Sequence, residues 1–319
     1  MRAVTVVGEG GLEWRDHPDP EPSRGELLVA VRAAGLNGAD MLQRRGLYAA
    51  PPGSAPDIPG LELAGDVVAT GPDVERYRPR DRVMAVVGGG AQAELAVVHE
   101  RTAIAVPDDV SWVTAGGFPE VFTTANDALF TQCGLAMGER VLVHAAAGGV
   151  GIAGVQLAAI AGGHVTATVR NETLRGGVAA IGTRAGTCEV VAPDEFADRG
   201  PFDVVLELIG APNFAADLDS LAVGGRIAVI GIGAGAAAEL NLLTLMAKRA
   251  RIHGSTLRAR PLEQKADAAR RVEAHVLPSL AAGALEVPIA ATYPMADAAA
   301  AYDHFAAGGK LGKIVLTTA

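Results

Sequence analysis

Up to about residue 110, short runs of apolar and β-branched residues alternate with breaks rich in Gly and Pro. Short runs bounded by such breaks are typical of β-strands. Their close spacing predicts a compact, barrel-like β-domain. The predicted strands are Arg2–Val7, Glu26–Ala33, Glu62–Thr70, Arg82–Val87 and Ala93–Val98.

From Pro119 onward the pattern changes to apolar strands that alternate with helical segments. Alternation of this kind is typical of a doubly wound parallel sheet, the Rossmann arrangement. The short run Gly233–Ala238 is low in complexity and predicts a loop. The predicted strands are 140–145, 164–169, 202–208, 226–231 and 251–256, with helices that include 149–161 and 212–222.

After Arg260 the chain leaves the Rossmann pattern. A long amphipathic helix is predicted over 262–282, because apolar residues recur there at helical spacing. An alanine-rich helix (297–307) and a last strand (Lys313–Thr317) follow. We therefore predict an α/β fold in which a Rossmann domain is inserted into a β-rich catalytic domain. The predicted limits are 119–259 for the Rossmann domain, and 1–118 with 260–319 for the catalytic domain.

A glycine-rich turn joins the first predicted Rossmann strand to the helix after it. Residues 140–156 read RVLVHAAAGGVGIAGVQ, in which Gly149, Gly151 and Gly154 satisfy the pattern G-x-G-x-x-G. The first glycine permits a tight turn, the second lets the backbone approach a pyrophosphate, and the third packs the helix on the strand. Free N–H groups at the helix N-terminus then face the phosphates. The alternative is an ordinary glycine-rich turn, since glycine makes up 40 of the 319 residues. The predicted cofactor contacts are Gly148, Gly149, Val150 and Gly151.

The end of the second predicted Rossmann strand favours NADPH over NADH. An acidic residue about 20 residues beyond the glycines would bind the ribose 2′-hydroxyl of NAD. This chain has Arg170 and Asn171 there, and Arg175 lies one helical turn further on. An arginine meets a 2′-phosphate through a charge-assisted contact. The alternative is that both arginines are solvated surface residues.

Composition and charge argue against several classes of function. The net charge of −9 opposes sequence-independent binding to nucleic acid, which depends on Lys and Arg. Cys133 and Cys188 are the two cysteines, too few for a disulfide framework or a cysteine-rich zinc site. No apolar run is long enough to span a bilayer, and the N-terminal segment is typical of a strand and not of a secretory signal. We therefore expect a cytoplasmic protein.

Motifs spread along nearly the whole chain carry a family resemblance. They are Val31–Asp40, Arg45–Tyr48, Pro59–Glu62, Pro119–Thr124, Ala145–Gly151, Gly254–Arg258 and Gly312–Leu316. In this order they resemble the medium-chain dehydrogenase/reductase superfamily, and within it the zinc-independent, zeta-crystallin-like quinone oxidoreductases. The resemblance implies a GroES-like catalytic domain around a central Rossmann domain, with the active site in the cleft between them. It also implies dimers or tetramers that form through an edge strand of the Rossmann sheet, here Arg251–Thr256.

The resemblance further implies an active site without zinc. Zinc-dependent relatives carry a cysteine at the position of Asn37, a histidine at the position of Leu61, and a cysteine-rich lobe that this chain lacks. Zinc needs about three or four converging N, S or O ligands, and Glu62 alone does not supply them. The seven histidines are scattered, without metal-ligand spacing. Without a Lewis acid, the natural acceptors are electron-poor π-systems, namely quinones and α,β-unsaturated carbonyls.

Tyr48 and Asn37 are the candidate catalytic residues that the resemblance places in the cleft. Tyr48 would contact cofactor or substrate, and related enoyl reductases are proposed to use a tyrosine here as proton donor. A phenol is protonated at neutral pH and can hydrogen-bond an enolate oxygen; the alternative is that Tyr48 only covers the site. Asn37 would lie near the nicotinamide ribose or the substrate carbonyl, or serve as a turn residue. Asp40 is predicted to be a helix-capping or structural acid.

Further cofactor contacts come from the resemblance alone. Thr124 resembles a threonine that hydrogen-bonds in the nicotinamide region, although a threonine at a helix start also has a structural explanation. Lys313 either reaches the cleft or lies on the surface. The segment Val190–Pro193 lacks the Tyr or His with which several relatives approach the 2′-phosphate, so the NADPH preference depends on Arg170 and Arg175. The remaining predicted contacts are Gly231, Ile232, Ser255 and Leu257.

The leading hypothesis is an NADPH-dependent quinone oxidoreductase that transfers a hydride to a quinone in the inter-domain cleft. The first alternative is an enone, alkenal or enoyl-thioester reductase, with Tyr48 as the acid and a basic cluster that either binds a CoA phosphate or is solvated charge at a helix end. The second alternative is a nonenzymatic NADPH-binding structural or RNA-binding protein. The expected partners are a small-molecule quinone or enone and a second copy of the chain, without nucleic acid, membrane or metal. The basic cluster consists of Lys248, Arg249, Arg251, Arg258 and Arg260.

Overall fold

The strands of the computed structural model, which describes residues 1–318, form one hairpin and two larger sheets. In chain order the strands are β1 (Arg2–Val7), β2 (Gly11–Asp16), β3 (Glu26–Gly35), β4 (Glu62–Thr70), β5 (Arg82–Val86), β6 (Leu95–His99), β7 (Ala103–Ala105), β8 (Arg140–Val143), β9 (His164–Thr168), β10 (Thr187–Val191), β11 (Phe202–Glu207), β12 (Leu221–Val229), β13 (Arg251–Gly254), β14 (Ile289–Pro294) and β15 (Lys313–Thr317). The α-helices are α1 (Gly38–Arg44), α2 (Trp112–Gly116), α3 (Pro119–Asn126), α4 (Gly149–Ile160), α5 (Glu172–Ala185), α6 (Ala211–Ser220), α7 (Leu242–Lys248), α8 (Leu262–His275), α9 (Leu277–Ala281) and α10 (Ala298–Ala307).

Six parallel strands form the Rossmann sheet, in the order β10–β9–β8–β11–β12–β13. By position in the sequence this order is 3-2-1-4-5-6, the doubly wound arrangement, and it reverses between β8 and β11. The connections after these two strands leave a crevice at the carboxyl edge of the sheet, where such folds bind their ligands. The predicted α/β class, with a Rossmann sheet flanked in sequence by β-rich segments, is therefore confirmed.

The second large sheet is assembled from both ends of the chain. It runs β14–β15–β3–β4–β5–β7, and β6 pairs with β3 as well. β15 is antiparallel to β3, so that Val315 lies opposite Gly35 and Leu316 opposite Ala34. This register carries the C-terminal strand to the end of β3, and it positions Lys313 beside the residues that follow Gly35.

Helix α4 is enclosed on almost every side, which explains its unusual composition. Residues 151–159 of this helix are all buried. A helix that is apolar all round belongs in an interior and not at a surface. Gly154 lets α4 pack closely on β11, because a Cβ at this position would lie only 2.6 Å from Leu206 Cδ2. The small residues of α4 therefore set its distance from the sheet.

Several predicted elements differ from the structure in extent. The single helix predicted over 262–282 is instead two helices, α8 and α9, because Pro278 lacks an N–H donor and starts a helix more readily than it continues one. The last Rossmann strand ends at Gly254 and not at Thr256, and the strand predicted over 226–231 extends from Leu221 to Val229. Within residues 1–318, no helix combines the length and the apolar character needed to cross a membrane.

Arg226 on β12 fastens the Rossmann sheet to the segment that precedes β8. Its guanidinium donates to Glu139 Oε1 and Oε2 at 2.7 and 2.8 Å. It also donates to the carbonyl oxygens of Cys133 at 2.7 Å and Gly134 at 3.1 Å. Because Arg226 is buried, this one side chain satisfies several polar groups that little water reaches.

We expect Arg226→Met to lower the free energy of unfolding by about 3 kcal/mol, because it leaves Glu139 and the backbone carbonyls of Cys133, Gly134 and Asp203 without this donor. Denaturant unfolding followed by circular dichroism measures the change. The matched control is Arg271→Met, since Arg271 pairs with Asp267 on the exposed face of α8 and such a pair contributes about 0.5 kcal/mol. Equal losses in the two variants would contradict this account of Arg226.

Candidate active site

A buried ammonium group lies at the centre of the candidate site. Lys313 Nζ donates at 2.7 Å to the carbonyl of Leu36, to Asn37 Oδ1 and to Glu62 Oε1. An ammonium has three N–H donors, so these three acceptors satisfy it completely. Only 3% of the lysine is exposed. Of the two alternatives for Lys313, the structure therefore supports the interior position.

Asn37 and Glu62, which with Lys313 form the Lys313 cluster, connect this lysine to the start of α3. Asn37 Nδ2 donates to Glu62 Oε1 at 2.9 Å and to the Gly35 carbonyl at 3.3 Å. The other carboxylate oxygen, Glu62 Oε2, accepts the backbone N–H of Glu120 at 2.8 Å. Gly35 has no room for a side chain, because an added Cβ would collide with the Glu62 carboxylate. Both amide hydrogens of Asn37 are thus used within the protein.

Two further carboxyl groups lie close to the Lys313 cluster, and burial changes both. Burial raises the pKa of Asp40 to about 7. The backbone N–H groups of Asn37 and Gly60 donate to its two carboxylate oxygens, at 2.8 and 3.0 Å, and these hydrogen bonds lower the pKa in part. The hydrogen bond from Asn37 N confirms the predicted capping role of Asp40 at α1. Burial, with repulsion from Glu62, also raises the pKa of Glu120 to about 7.

Arg258 binds the Tyr48 loop from the side of the Rossmann sheet. It donates to the Tyr48 carbonyl at 2.9 Å and to the Gly88 carbonyl at 2.7 Å, and it also contacts the Gln43 side chain. The guanidinium carbon lies 4.8 Å from the centre of the Tyr48 ring, within the range of a cation–π contact. Burial raises the pKa of Tyr48, against the nearby positive charge of Arg258, so the phenol stays protonated at neutral pH.

The basic cluster predicted for a CoA phosphate does not form a single patch. Arg258 is 3% exposed and directed inward, and Arg260 binds Asp127 at 2.9 and 2.6 Å. Lys248 donates to backbone carbonyls, among them that of Asp219 at 2.7 Å. Arg249 and Arg251 are exposed, whereas the other three cations bind groups within the fold, so the five residues do not form one phosphate-binding surface.

The glycine-rich turn forms a cradle at the N-terminus of α4, with Gly148 as the N-cap. A Cβ on Gly149 would lie 2.7 Å from Val121 Cγ1 and 2.8 Å from Lys313 Cδ, and one on Gly151 would lie 2.7 Å from Ala146 Cα. Glycine at these positions lets the turn pack tightly against Val121, Lys313 and Ala146. The free N–H groups and the close backbone approach fit the pyrophosphate of a dinucleotide. The Cβ distances also connect this cradle directly to the Lys313 cluster.

Arg170 and Arg175 lie where β9 ends and α5 begins. Arg170 is exposed, and Arg175 is half-buried with its Nε donating to the Val169 carbonyl at 3.1 Å. Among the residues that the structure describes, no carboxylate forms an ion pair with either arginine. Both guanidinium groups therefore retain donors for an anionic ligand.

The remaining predicted contacts lie on α3, in the first turn of α4, and after β12 and β13. Thr124 Oγ1 donates to Glu120 Oε1 at 3.2 Å. Ser255 donates to Asp127 at 3.0 Å, and Leu257 is buried. Gly231 lies against the Leu208 carbonyl, with no space for a Cβ. The Val150 side chain packs partly buried against the hydrophobic core, and Ile232 is half exposed.

The structure also brings together a buried group that the sequence analysis missed. His144 follows β8, and its Nε2 lies 2.7 Å from Asp217 Oδ1 and 3.7 Å from Glu207 Oε2. Burial lowers the pKa of His144 to about 4 and raises the pKa of Glu207 and of Asp217 to about 7. These residues are far apart in sequence, so no spacing rule could have found them. The three have the chemistry of metal ligands, and their ligand atoms lie within 4.8 Å of one another.

The donor set around Lys313 does not suit a catalytic zinc ion. Asn37 offers an amide already bonded on both sides, and Leu61 offers a buried apolar side chain. The ammonium group of Lys313 lies against Glu62, where it neutralises the carboxylate that a cation would otherwise meet. A zinc ion would have to compete with this permanent positive charge.

Family models match two separate parts of the chain. The model of the alcohol dehydrogenase GroES-like domain matches residues 23–108. The model of zinc-binding dehydrogenases matches residues 187–316. Together these matches take in parts of both large sheets.

Similar proteins cover the chain from end to end. The quinone oxidoreductase of Lama guanicoe is 30% identical over 328 residues, covering 99% of this chain and 97% of that protein. A mycobacterial protein solved in complex with NADPH is 30% identical, with a TM-score of 0.86 over 99% of both chains. The solved structure of a mycobacterial quinone oxidoreductase is 29% identical, with a TM-score of 0.84 over 99% of both chains.

Proposed function

Because the chain belongs to the zeta-crystallin-like quinone oxidoreductase family of the medium-chain dehydrogenase/reductase superfamily, we propose that it is an NADPH-dependent quinone oxidoreductase that works without zinc. The observation that carries the proposal is the Lys313 ammonium group, which occupies the polar centre of the site and bonds to both Asn37 and Glu62. A site with a fixed internal cation and no open ligand set gives an alcohol or simple carbonyl no Lewis acid. Quinones accept a hydride without one, because their ring is already electron-poor.

The glycine cradle and the arginines after β9 would hold the cofactor. Gly148, Gly149, Val150 and Gly151 would face the pyrophosphate, and Arg170 with Arg175 would bind the 2′-phosphate. The nicotinamide half of the cofactor would be bordered by Thr124 and by the segments around Gly231, Ile232, Ser255 and Leu257. Lys313 would contact the same half. When bound, NADPH supplies the hydride at C4 of its nicotinamide.

Catalysis by this chain would rest mainly on orientation and exclusion of water. Arg258 holds the Tyr48 loop across the cleft, so that the phenol can hydrogen-bond an acceptor oxygen. Asn37, fixed by Glu62 and Lys313, shapes the floor of the site. We assign Tyr48 a binding role, because its raised pKa makes the phenol a weaker acid than in water.

A second copy of the chain is the proposed partner. β13 is the edge strand of the Rossmann sheet, and a free edge can pair with the same strand of another molecule. Helix α7, just before β13, has no buried residue, and Leu242, Leu243 and Met246 are 63%, 73% and 71% exposed. A symmetric contact across this edge would cover both features.

Acceptor preference tests the proposed activity. We expect the purified protein to oxidise NADPH with 1,4-naphthoquinone at least about tenfold faster, in kcat/KM, than with a small enone. Tyr48→Phe should retain most of the quinone activity, because only one hydrogen bond is lost. NADPH oxidation at 340 nm measures both. Dominant enone turnover that collapses in Tyr48→Phe would identify an enone reductase instead, and NADPH binding without turnover would contradict an enzymatic function.

Cofactor choice should depend on the arginines after β9. We expect the double variant Arg170→Ala/Arg175→Ala to raise the Kd for NADPH by about 10- to 100-fold, because charge-assisted contacts to the 2′-phosphate are lost. The Kd for NADH should stay within about twofold, which serves as the internal control. Fluorescence titration of the reduced nicotinamide gives both constants. An equal rise in the Kd values of NADPH and NADH would show that the two arginines do not act through the 2′-phosphate.

Self-association should depend on the exposed face of α7. We expect Leu243→Lys/Met246→Lys to convert a dimer to a monomer, because two buried charges per subunit would oppose the contact. Sedimentation velocity measures the change in mass. Arg271→Met, on the exposed face of α8, should leave the dimer intact. A wild-type monomer at about 10 µM would contradict the proposal.

A further inference from the structure

Two buried carboxyl groups, Asp40 and Glu62, and the half-buried Glu120 share one ammonium group in the candidate site. Asp40, Glu62 and Glu120 all act electrostatically on one another, and Lys313 is the cation that lies among them. Glu62 contacts Lys313 directly, so this pair accounts for one negative charge. The low dielectric of the site disfavours two further unpaired negative charges. The cluster therefore retains a proton near neutral pH.

The hydrogen bonds distinguish which carboxyl group can release that proton. Asp40 has both oxygens held by backbone N–H groups, at 2.8 and 3.0 Å, which fixes it as a structural acid. Glu120 is different. Its Oε1 accepts from Thr124 at 3.2 Å, whereas its Oε2 is shielded from solvent and has no hydrogen-bond partner in the part of the chain that the structure describes.

A shielded carboxyl oxygen without a partner inside the protein is free to bond to a substrate, and a catalytic role is one of the reasons for which such atoms occur. Glu120 lies among the residues that would surround the acceptor. Its hydroxyl neighbour is Thr124, which would border the nicotinamide, and its charge reaches Tyr48 and Arg258. The groups that face Glu120 are Glu62, Lys313, Thr124, Asp40, Tyr48 and Arg258.

We propose that Glu120 is the proton donor of this site, with Oε2 as the donating atom. The inference rests on the proposed quinone oxidoreductase function and adds a catalytic residue to it. The quinone accepts the hydride of NADPH at one carbonyl oxygen, where an O–H bond forms as the C4–H bond of the nicotinamide breaks and NADP⁺ is left, and the negative charge passes to the other quinone oxygen. As a quinone oxygen takes up the proton, its new O–H bond forms and the Glu120 O–H bond breaks. The product is a neutral hydroquinone, and the Glu120 carboxylate takes a proton back from water.

The pH dependence follows from the direction of this transfer. Burial and Glu62 raise the pKa of Glu120 to about 7, so the acid form predominates below that pH and is lost above it. Turnover should therefore fall by about tenfold per pH unit on the alkaline side. A general acid of this kind contributes about 10²-fold or more to rate.

The test compares variants by the pH profile of kcat, with NADPH and 2-methyl-1,4-naphthoquinone. We expect Glu120→Gln to lower kcat by about 10²-fold at pH 6 and to remove the alkaline fall, while the Kd for NADPH and the Tm stay close to wild type. Glu120→Asp keeps a carboxyl group and should keep an alkaline fall at a reduced rate. Asp267→Asn is the control: this exposed carboxyl group on α8 pairs with Arg271 outside the site, so its loss should keep the wild-type profile.

Three results would overturn the proposal, and each has a different meaning. If the wild type turns over quinones and Glu120→Gln keeps the same kcat and the same alkaline fall, Glu120 is not the donor although the function stands. If the wild type binds NADPH and turns over no quinone, the proposed function fails and the donor role fails with it. Loss of the alkaline fall in Tyr48→Phe, with Glu120→Gln unchanged, would assign the proton to Tyr48.

Discussion

The buried contact of Lys313 with Glu62 and Asn37 is the interaction on which the site depends. It joins β15, near the C-terminus, to β4 and to the turn after β3, so it needs the sheet that both chain ends build. An ammonium in such a place is costly unless every donor is satisfied, and here three acceptors at 2.7 Å satisfy it. The same contact sets the position of the amide, of one carboxylate and, through Glu120 N–H, of the first turn of α3.

The charge balance around this lysine explains the chemistry of the neighbouring groups. Lys313 is the one cation close to Asp40, Glu62 and Glu120, and the pKa values of Asp40 and Glu120 are raised. Arg258 is the second buried cation, but its donors are directed to the Tyr48 and Gly88 carbonyls and to Gln43. It therefore ties the segment after β13 to the loops of the other sheet.

Local patterns were sufficient for much of the fold. The alternation of strands and helices after Pro119 predicted the parallel sheet, because strand and helix periods differ and the apolar runs are long. The position of the glycine turn between strand and helix was predicted, because at each of these positions the neighbouring atoms leave no room for a Cβ. The break at Pro278 and the early start of β12 were missed, because element ends depend on packing more than on local preference. Short elements such as β2, β7 and α1 carried too weak a pattern to be predicted.

The sequence by itself determined the class of fold, the phosphate cradle at Gly149–Gly151 and the absence of cysteine and histidine at the zinc positions. These features lie within short segments, where a few neighbouring residues decide the conformation or the chemistry. The tertiary structure alone decided that Lys313 is interior, that Arg258 faces inward, and that Glu120 has one unpartnered oxygen. It also decided that His144 meets Asp217. These properties arise from contacts between residues far apart in the chain, and burial, not residue type, sets their charge and their hydrogen bonds.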